Sequence, residues 1–134
     1  MSLRAIPLLV LSFILYNLIV MSTGIEGMNS TIFSVTLLSK GVWNFTWGDF
    51  ILLVTLVLLF IEIVKSTFTS TSTLIDHALS MVVFVAILIE FLMVPQAATS
   101  VFFLILVAAL IDVIAGYTIG IRVARRDLNI GADQ

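Results

Sequence analysis

Ala98–Gly120, ATSVFFLILVAALIDVIAGYTIG, is an apolar run of membrane length that carries a single carboxylate, Asp112, near its middle. Small residues recur every fourth position around that acid: Ala108, then Asp112 itself, then Gly116 and Gly120. Residues four apart on a helix stack on nearly one face. This segment therefore reads as a spanning helix with one thin, acid-bearing side, against which other helices can approach closely. Its outer bulk of Val, Leu, Ile and Phe is what lipid tolerates.

Composition leads the same way. The chain has 134 residues, 61% hydrophobic and only 10% charged, with mean hydropathy +1.27. So few charges cannot cover that much apolar surface in water, and a bilayer resolves the excess. The length suits one membrane domain without a separate soluble module. Basic residues form no patch of the kind that binds nucleic acid. Cysteine is absent, which excludes disulfides, thiolate metal sites and a Cys nucleophile.

Working outward from the last span gives an all-α integral membrane protein: a four-helix antiparallel bundle with an extracytoplasmic insert between the first two spans. Ala5–Met21 follows a short basic lead and is longer than a signal-peptide core, so it reads as a retained first span at about 5–22. Residues 23–48 form the outer loop. Within it, Ile32–Leu38 and Val42–Trp47 flank Ser39-Lys40-Gly41, and the second run alternates aromatic with polar or β-branched residues. That pattern predicts a β-hairpin lying against the bundle, with an interfacial amphipathic helix as the alternative. Trp43 and Trp47 suit an aromatic belt in either case. Asn29-Ser30-Thr31 and Asn44-Phe45-Thr46 match the glycosylation sequon, a pattern common by chance.

Asp49 is expected to cap the second span, about 49–66, where Glu62 and Lys65 are spaced to pair at the interface. After a polar connector, Thr73–Asp76 reads as a capping box for the third span, about 73–94. Pro95-Gln96 breaks the chain tightly, making the third and fourth spans neighbours. The fourth covers about 98–122, with a polar tail over 123–134. Arg4, Lys65, Arg122, Arg125 and Arg126 then share one side and only Lys40 lies opposite. By the positive-inside rule both termini are cytoplasmic, in a multi-pass cell-membrane protein of the bacterial inner-membrane kind.

Asp112 lies ten residues from Arg122, or about 15 Å along a helix, near the centre of a hydrocarbon core about 30 Å thick. The same depth reaches Ser12–Tyr16 on the first span, with Asn17 a turn nearer the outside, about Thr55 on the second, and Ser80–Met81 on the third, with His77 one turn below; Asn17, Thr55, Ser80, His77 and Asp112 form one layer if their faces converge. A charged Asp there costs about 2.5–3.5 kcal/mol on insertion scales, so it is expected to face protein and find a partner. Asp76, Ser80, Val83, Ile87 and Glu90 make one stripe of the third helix.

Two functions follow. In the first, the chain is a structural or accessory subunit acting through helix contacts, in self-association or with another membrane protein, and Asp112 bonds helices together. In the second, it is an oligomeric proton or cation channel or transporter, with Glu90 outside, Asp112 at mid-depth with Ser80, and Glu62, Asp76 and His77 inside. No nucleophile–base spacing, phosphate-binding glycine loop, cofactor motif or metal-ligand set is present, so no enzyme, cofactor or metal is expected. In length and span number the chain is similar to small multidrug exporters and fluoride channels. The exporters' first-span acid is missing, however, because no carboxylate occurs between Met1 and Val20.

Overall fold

The computed structural model describes residues 6–67 and 72–132, leaving aside the side-chain surroundings of 72–74, 120, 123–124 and 126–132. The order is α1 (Leu9–Met28), a hairpin of β1 (Thr31–Thr36) and β2 (Val42–Thr46), α2 (Trp47–Lys65), α3 (Ser72–Met93), a 3₁₀ turn at Pro95–Ala97, and α4 (Ser100–Ala132). Each α-helix holds a stretch long and apolar enough to cross a membrane, with mean hydropathy between 1.7 and 2.4. Much of their outward surface is apolar, including Leu18, Leu56, Phe60, Val82 and Leu92. Lipid accepts such a surface, whereas water would drive its association.

Helix α4 is the hub, packing against α1, α2 and α3, while α2 and α3 lie on different flanks of it. Its buried residues are Phe102, Ile105, Leu106, Ala108, Ala109, Asp112, Val113 and Gly116, stepping by three or four along one face. Phe102 is wholly enclosed, with Tyr16 edge-on at 4.9 Å and Phe91 stacked at 6.2 Å. Ala108, Ala109 and Gly116 keep the other end of that face thin. The small-residue side of α4 is thus occupied by helices of the same chain.

Several boundaries differ from the sequence expectation. The first helix runs on to Met28 rather than stopping near 22, because Gly24 bends it instead of ending it. Gly24 has φ 75° and ψ 178°, a conformation open essentially to glycine alone. Thr23 and Ser22 hydroxyls bond back to the Ile19 and Leu18 carbonyls just before the break. The last helix continues past the expected end of the span near 122 to Ala132, so most of the expected polar tail is helical.

Asp49 does not stand at the N-cap of α2. Thr46 does: its hydroxyl accepts from Asp49 N at 3.1 Å while the Asp49 carboxylate accepts from Thr46 N at 3.0 Å. The two form a reciprocal capping box. Thr73 of the box expected on α3 falls outside the described side chains, as do the surroundings of Gly120 and Arg126; Arg4 also lies outside the described residues.

The insert is a hairpin, antiparallel, pairing Phe33 with Phe45 and Val35 with Trp43, and bulged between Thr31 and Phe33. Its tip is Leu38–Lys40, one residue earlier than expected. The positive φ falls on Lys40, at 70°, and Lys40 N donates to Leu37 O. Trp47 N bonds Ser30 O at 3.1 Å and closes the hairpin base onto the helix ends. β1 is exposed along its whole length, so the hairpin projects rather than lying against the bundle. It is held by its own aromatic face, with Phe33 stacked on Phe45 at 4.8 Å and Trp43 edge-on to both.

Candidate functional site

Polar side chains enter the bundle at three levels. The level nearest the Lys65 end joins all four helices. Glu62, on the last turns of α2, is buried, and its Oε1 accepts from Leu8 N at 2.8 Å and from Lys65 Nζ at 3.2 Å. Glu62 and Lys65 sit three apart on one face, so the pair expected from the sequence forms while also satisfying an orphan amide at the start of α1.

Facing Glu62 are the inward groups of α3 and α4. His77 is 8% exposed, and its ring lies 5.0 Å from that of Tyr117. It fills the space left by the missing side chain of Gly116: a Cβ there would be 2.9 Å from His77 Cε1 and Nδ1. One turn along α3, Ser80 turns its hydroxyl toward the Asp112 carboxyl, which is 6% exposed. Glu62 lies close enough to act on the charge of both His77 and Asp112, Lys65 on Asp112, and Asp76 on His77. Two atoms in this group, His77 Nε2 and Asp76 Oδ1, are buried without a hydrogen-bond partner.

At the middle level the Thr55 and Ser12 hydroxyls lie 2.9 Å apart in a hydrogen bond that ties α2 to α1, while Thr55 Oγ1 donates to Ile51 O at 2.8 Å. Both residues are almost fully enclosed. At the hairpin end Tyr16 Oη donates to Gln96 O at 2.7 Å and lies 2.7 Å from Thr99 Oγ1, pinning α1 to the turn between α3 and α4. Glu90 sits beside Tyr16 and Asn17, and its Oε2 is buried without a partner. Asn17 Nδ2 donates within its own helix to Phe13 O.

The single layer expected at the depth of Asp112 is therefore three separate groups. Ser80, His77, Asp76, Glu62 and Asp112 come together; Thr55 pairs with Ser12 instead; Asn17 belongs with Glu90. Ala108 and Gly116 line the α4 face, as expected. Of the interface anchors, Trp43 is exposed within the hairpin and Trp47 at the first turn of α2, where it packs edge-on to Phe50 at 5.9 Å. Lys65 is engaged with Glu62, while Arg122 and Arg125 are exposed on α4.

Thr99 was not singled out from the sequence, and Tyr16 only as the end of the Ser12–Tyr16 stretch at the depth of Asp112. The signal was present: Leu8, Ser12 and Tyr16 recur every fourth residue and mark the inner side of α1. The cluster's chemistry is that of groups able to hold or exchange a proton in a protein-lined interior. Among the described residues no set of three His, Cys, Asp or Glu is placed to hold a metal ion. No family model, curated protein or solved structure matches the chain.

Proposed function

We propose that the protein is a small multi-pass membrane protein that acts through contacts, as a structural or accessory subunit of a homo-oligomer or a larger membrane complex. It resides in a cell membrane of the bacterial inner-membrane kind with both termini cytoplasmic, a placement supported by the five-to-one distribution of Lys and Arg about the spans. The observation that carries the functional reading is the enclosure of Asp112 against Ser80, with the other polar contacts running between helices of the chain: Glu62 to the Leu8 amide, Thr55 to Ser12, Tyr16 to Thr99. Groups used in this way brace a rigid module. What remains to meet other molecules is the outer surface, including the hairpin.

The test is the mass of the assembly in native nanodiscs, measured for the unaltered chain and for Asp112→Asn. The reading expects complexes larger than one chain, with Asp112→Asn less stable but still assembled. A monomer under every membrane condition refutes it.

The unpartnered buried atoms favour a second reading, a proton or cation pathway in an oligomer. Pure bracing leaves no reason for Glu90 Oε2 at one end and His77 Nε2 at the other to lack partners, since each such atom costs about 1–3 kcal/mol. Flux into proteoliposomes that vanishes with Asp112→Asn supports this reading, and absence of flux in the unaltered chain removes it.

A further inference from the structure

We propose that the β1–β2 hairpin is a membrane-docking ribbon whose aromatic face, Phe33, Val35, Trp43 and Phe45, lies on the headgroup region of the same bilayer that α1 and α2 span. This placement rests on the reading of the long helices as membrane spans.

The register divides the ribbon into two unlike sides. Directly paired residues share a face, and neighbours along a strand alternate. Phe33 with Phe45 and Val35 with Trp43 therefore stand on one face, while Ser34 with Asn44 and Thr36 with Val42 stand on the other. The first face is held by contacts among the Phe33, Trp43 and Phe45 rings, yet its outer side is bare: Phe33 is 44% exposed, Val35 41% and Trp43 47%. The second face is the polar one, where Ser34 Oγ donates to Asn44 Oδ1 at 2.6 Å. Leu37 and Leu38 add exposed apolar bulk at the tip. A ribbon that is aromatic on one side and hydrogen-bonding on the other matches the boundary between acyl chains and water.

Where the ribbon is rooted decides its occupant. Only Asn29 and Ser30 separate α1 from β1, and β2 runs straight into α2, its last residue Thr46 being the helix cap. The bond from Trp47 N to Ser30 O ties the two roots together. The ribbon thus starts where the spans end. A chain advances at most about 3.3–3.6 Å per residue, so Phe45 lies within about 7 Å of Trp47 whichever way the ribbon points, inside a headgroup layer about 5–8 Å deep. Trp43 is up to about 14 Å from Trp47 along an upright ribbon, beyond that layer, and stays within it when the ribbon lies flat. A face fixed to the bilayer surface without a linker meets lipid at a high effective concentration that a free partner lacks. Charge agrees with that occupant. Between Asn29 and Thr46 the one charged residue is Lys40, exposed at the tip, where an ammonium suits lipid phosphate.

Trp43 and Trp47 are the only tryptophans, so each can be read alone. The full chain is reconstituted as Trp47→Phe, leaving Trp43, and as Trp43→Phe, leaving Trp47. The vesicles are phosphatidylcholine and phosphatidylglycerol brominated in the acyl chain next to the headgroup. Trp47 reports whether the spans are in lipid, and Trp43 whether the ribbon is. Expected is a comparable loss of emission at both, with comparable protection of both from acrylamide. In the Trp47→Phe background, Val35→Asp places a charge on the aromatic face opposite Trp43 and is expected to abolish its quenching by lipid. Thr36→Asp carries the same charge on the other face and is expected to leave that quenching intact, which separates lifting of the face from unfolding of the hairpin. Trp43 open to acrylamide and untouched by bromine, with Trp47 quenched, overturns the proposal and leaves the spans in place. Trp43 shielded from both quenchers also overturns it, because a second copy or another protein then covers the face. Equal effects of Val35→Asp and Thr36→Asp refute the choice of face. An absence of lipid quenching at both tryptophans removes the membrane reading and the docking with it.

Discussion

Replacing Gly116 by alanine tests how α3 is seated on α4. The added Cβ would lie 2.9 Å from both Cε1 and Nδ1 of His77, closer than carbon atoms approach in folded proteins. The ring cannot simply retreat, because Tyr117 stands 5.0 Å away on the same helix and the residue is 92% buried. Either His77 leaves its rotamer or α3 moves off α4. Overpacking of this sort costs about 1–3 kcal/mol. Alanine is also a better helix former than glycine by about 0.8–1.0 kcal/mol, so the net loss expected for Gly116→Ala is about 0–2 kcal/mol. The clash is isolated by a double-mutant cycle with His77→Ala, measured by reversible unfolding in bicelles. Without the imidazole, Gly116→Ala is expected to be neutral or stabilising by about 1 kcal/mol, giving a coupling of about 1–3 kcal/mol between the sites. Equal effects of Gly116→Ala with and without His77 refute the seating. Gly116→Leu is expected to dislodge α3 altogether, visible as increased protease access to the α2–α3 connection.

Three further outcomes are expected from local geometry. Tyr16→Phe removes the hydroxyl that binds Gln96 O and Thr99 Oγ1 and is expected to cost about 1–2 kcal/mol in the same unfolding assay; an unchanged stability shows that α1 is not pinned at that turn. Thr46→Ala breaks the capping box with Asp49 and is expected to cost about 1 kcal/mol and to speed amide exchange in the first turn of α2, whereas unaltered exchange there excludes the cap. Lys40→Gly relieves a side chain held at φ 70° and is expected to stabilise the hairpin by about 1 kcal/mol, read as slower exchange of the Leu37 amide; faster exchange contradicts the backbone assignment.

The four long helices were legible because hydropathy over a bilayer-length window is a coarse property that neighbours barely alter. Their ends were not. The first span was expected to end near residue 22, yet Gly24, at a positive φ of 75°, bends the chain and lets it resume as helix to Met28. Arg122–Ala132 looks like a polar tail, but charge does not prevent a helix from continuing out of an apolar span. The capping box was written plainly as Thr46-Trp47-Gly48-Asp49, and assigning the cap to Asp49 alone overlooked the hydroxyl three residues before it. Within the site, neighbours along one helix could be paired by spacing, as Glu62 and Lys65 show. Partners across helices could not. A helix apolar on every side gives almost no sign of its rotation, so depth alone grouped Thr55 and Asn17 with Asp112 when Ser12 and Glu90 were their neighbours. The hairpin's strands were readable from alternation, but its projection away from the bundle depends on a tertiary balance that alternation does not encode.

The helix on which the others converge is also the one that follows them in the chain. Until α4 emerges, α3 has no flank for His77 or Ser80 to meet, and Glu62 of α2 has only α1 and Lys65. A nascent chain halted before Ser100 thus holds an uncovered polar stripe on otherwise apolar helices, a kind of surface that insertion machinery and quality-control proteases recognise. Maturation of the fold therefore waits for α4, and a chain that stops short of it lacks the face on which α2 and α3 are seated.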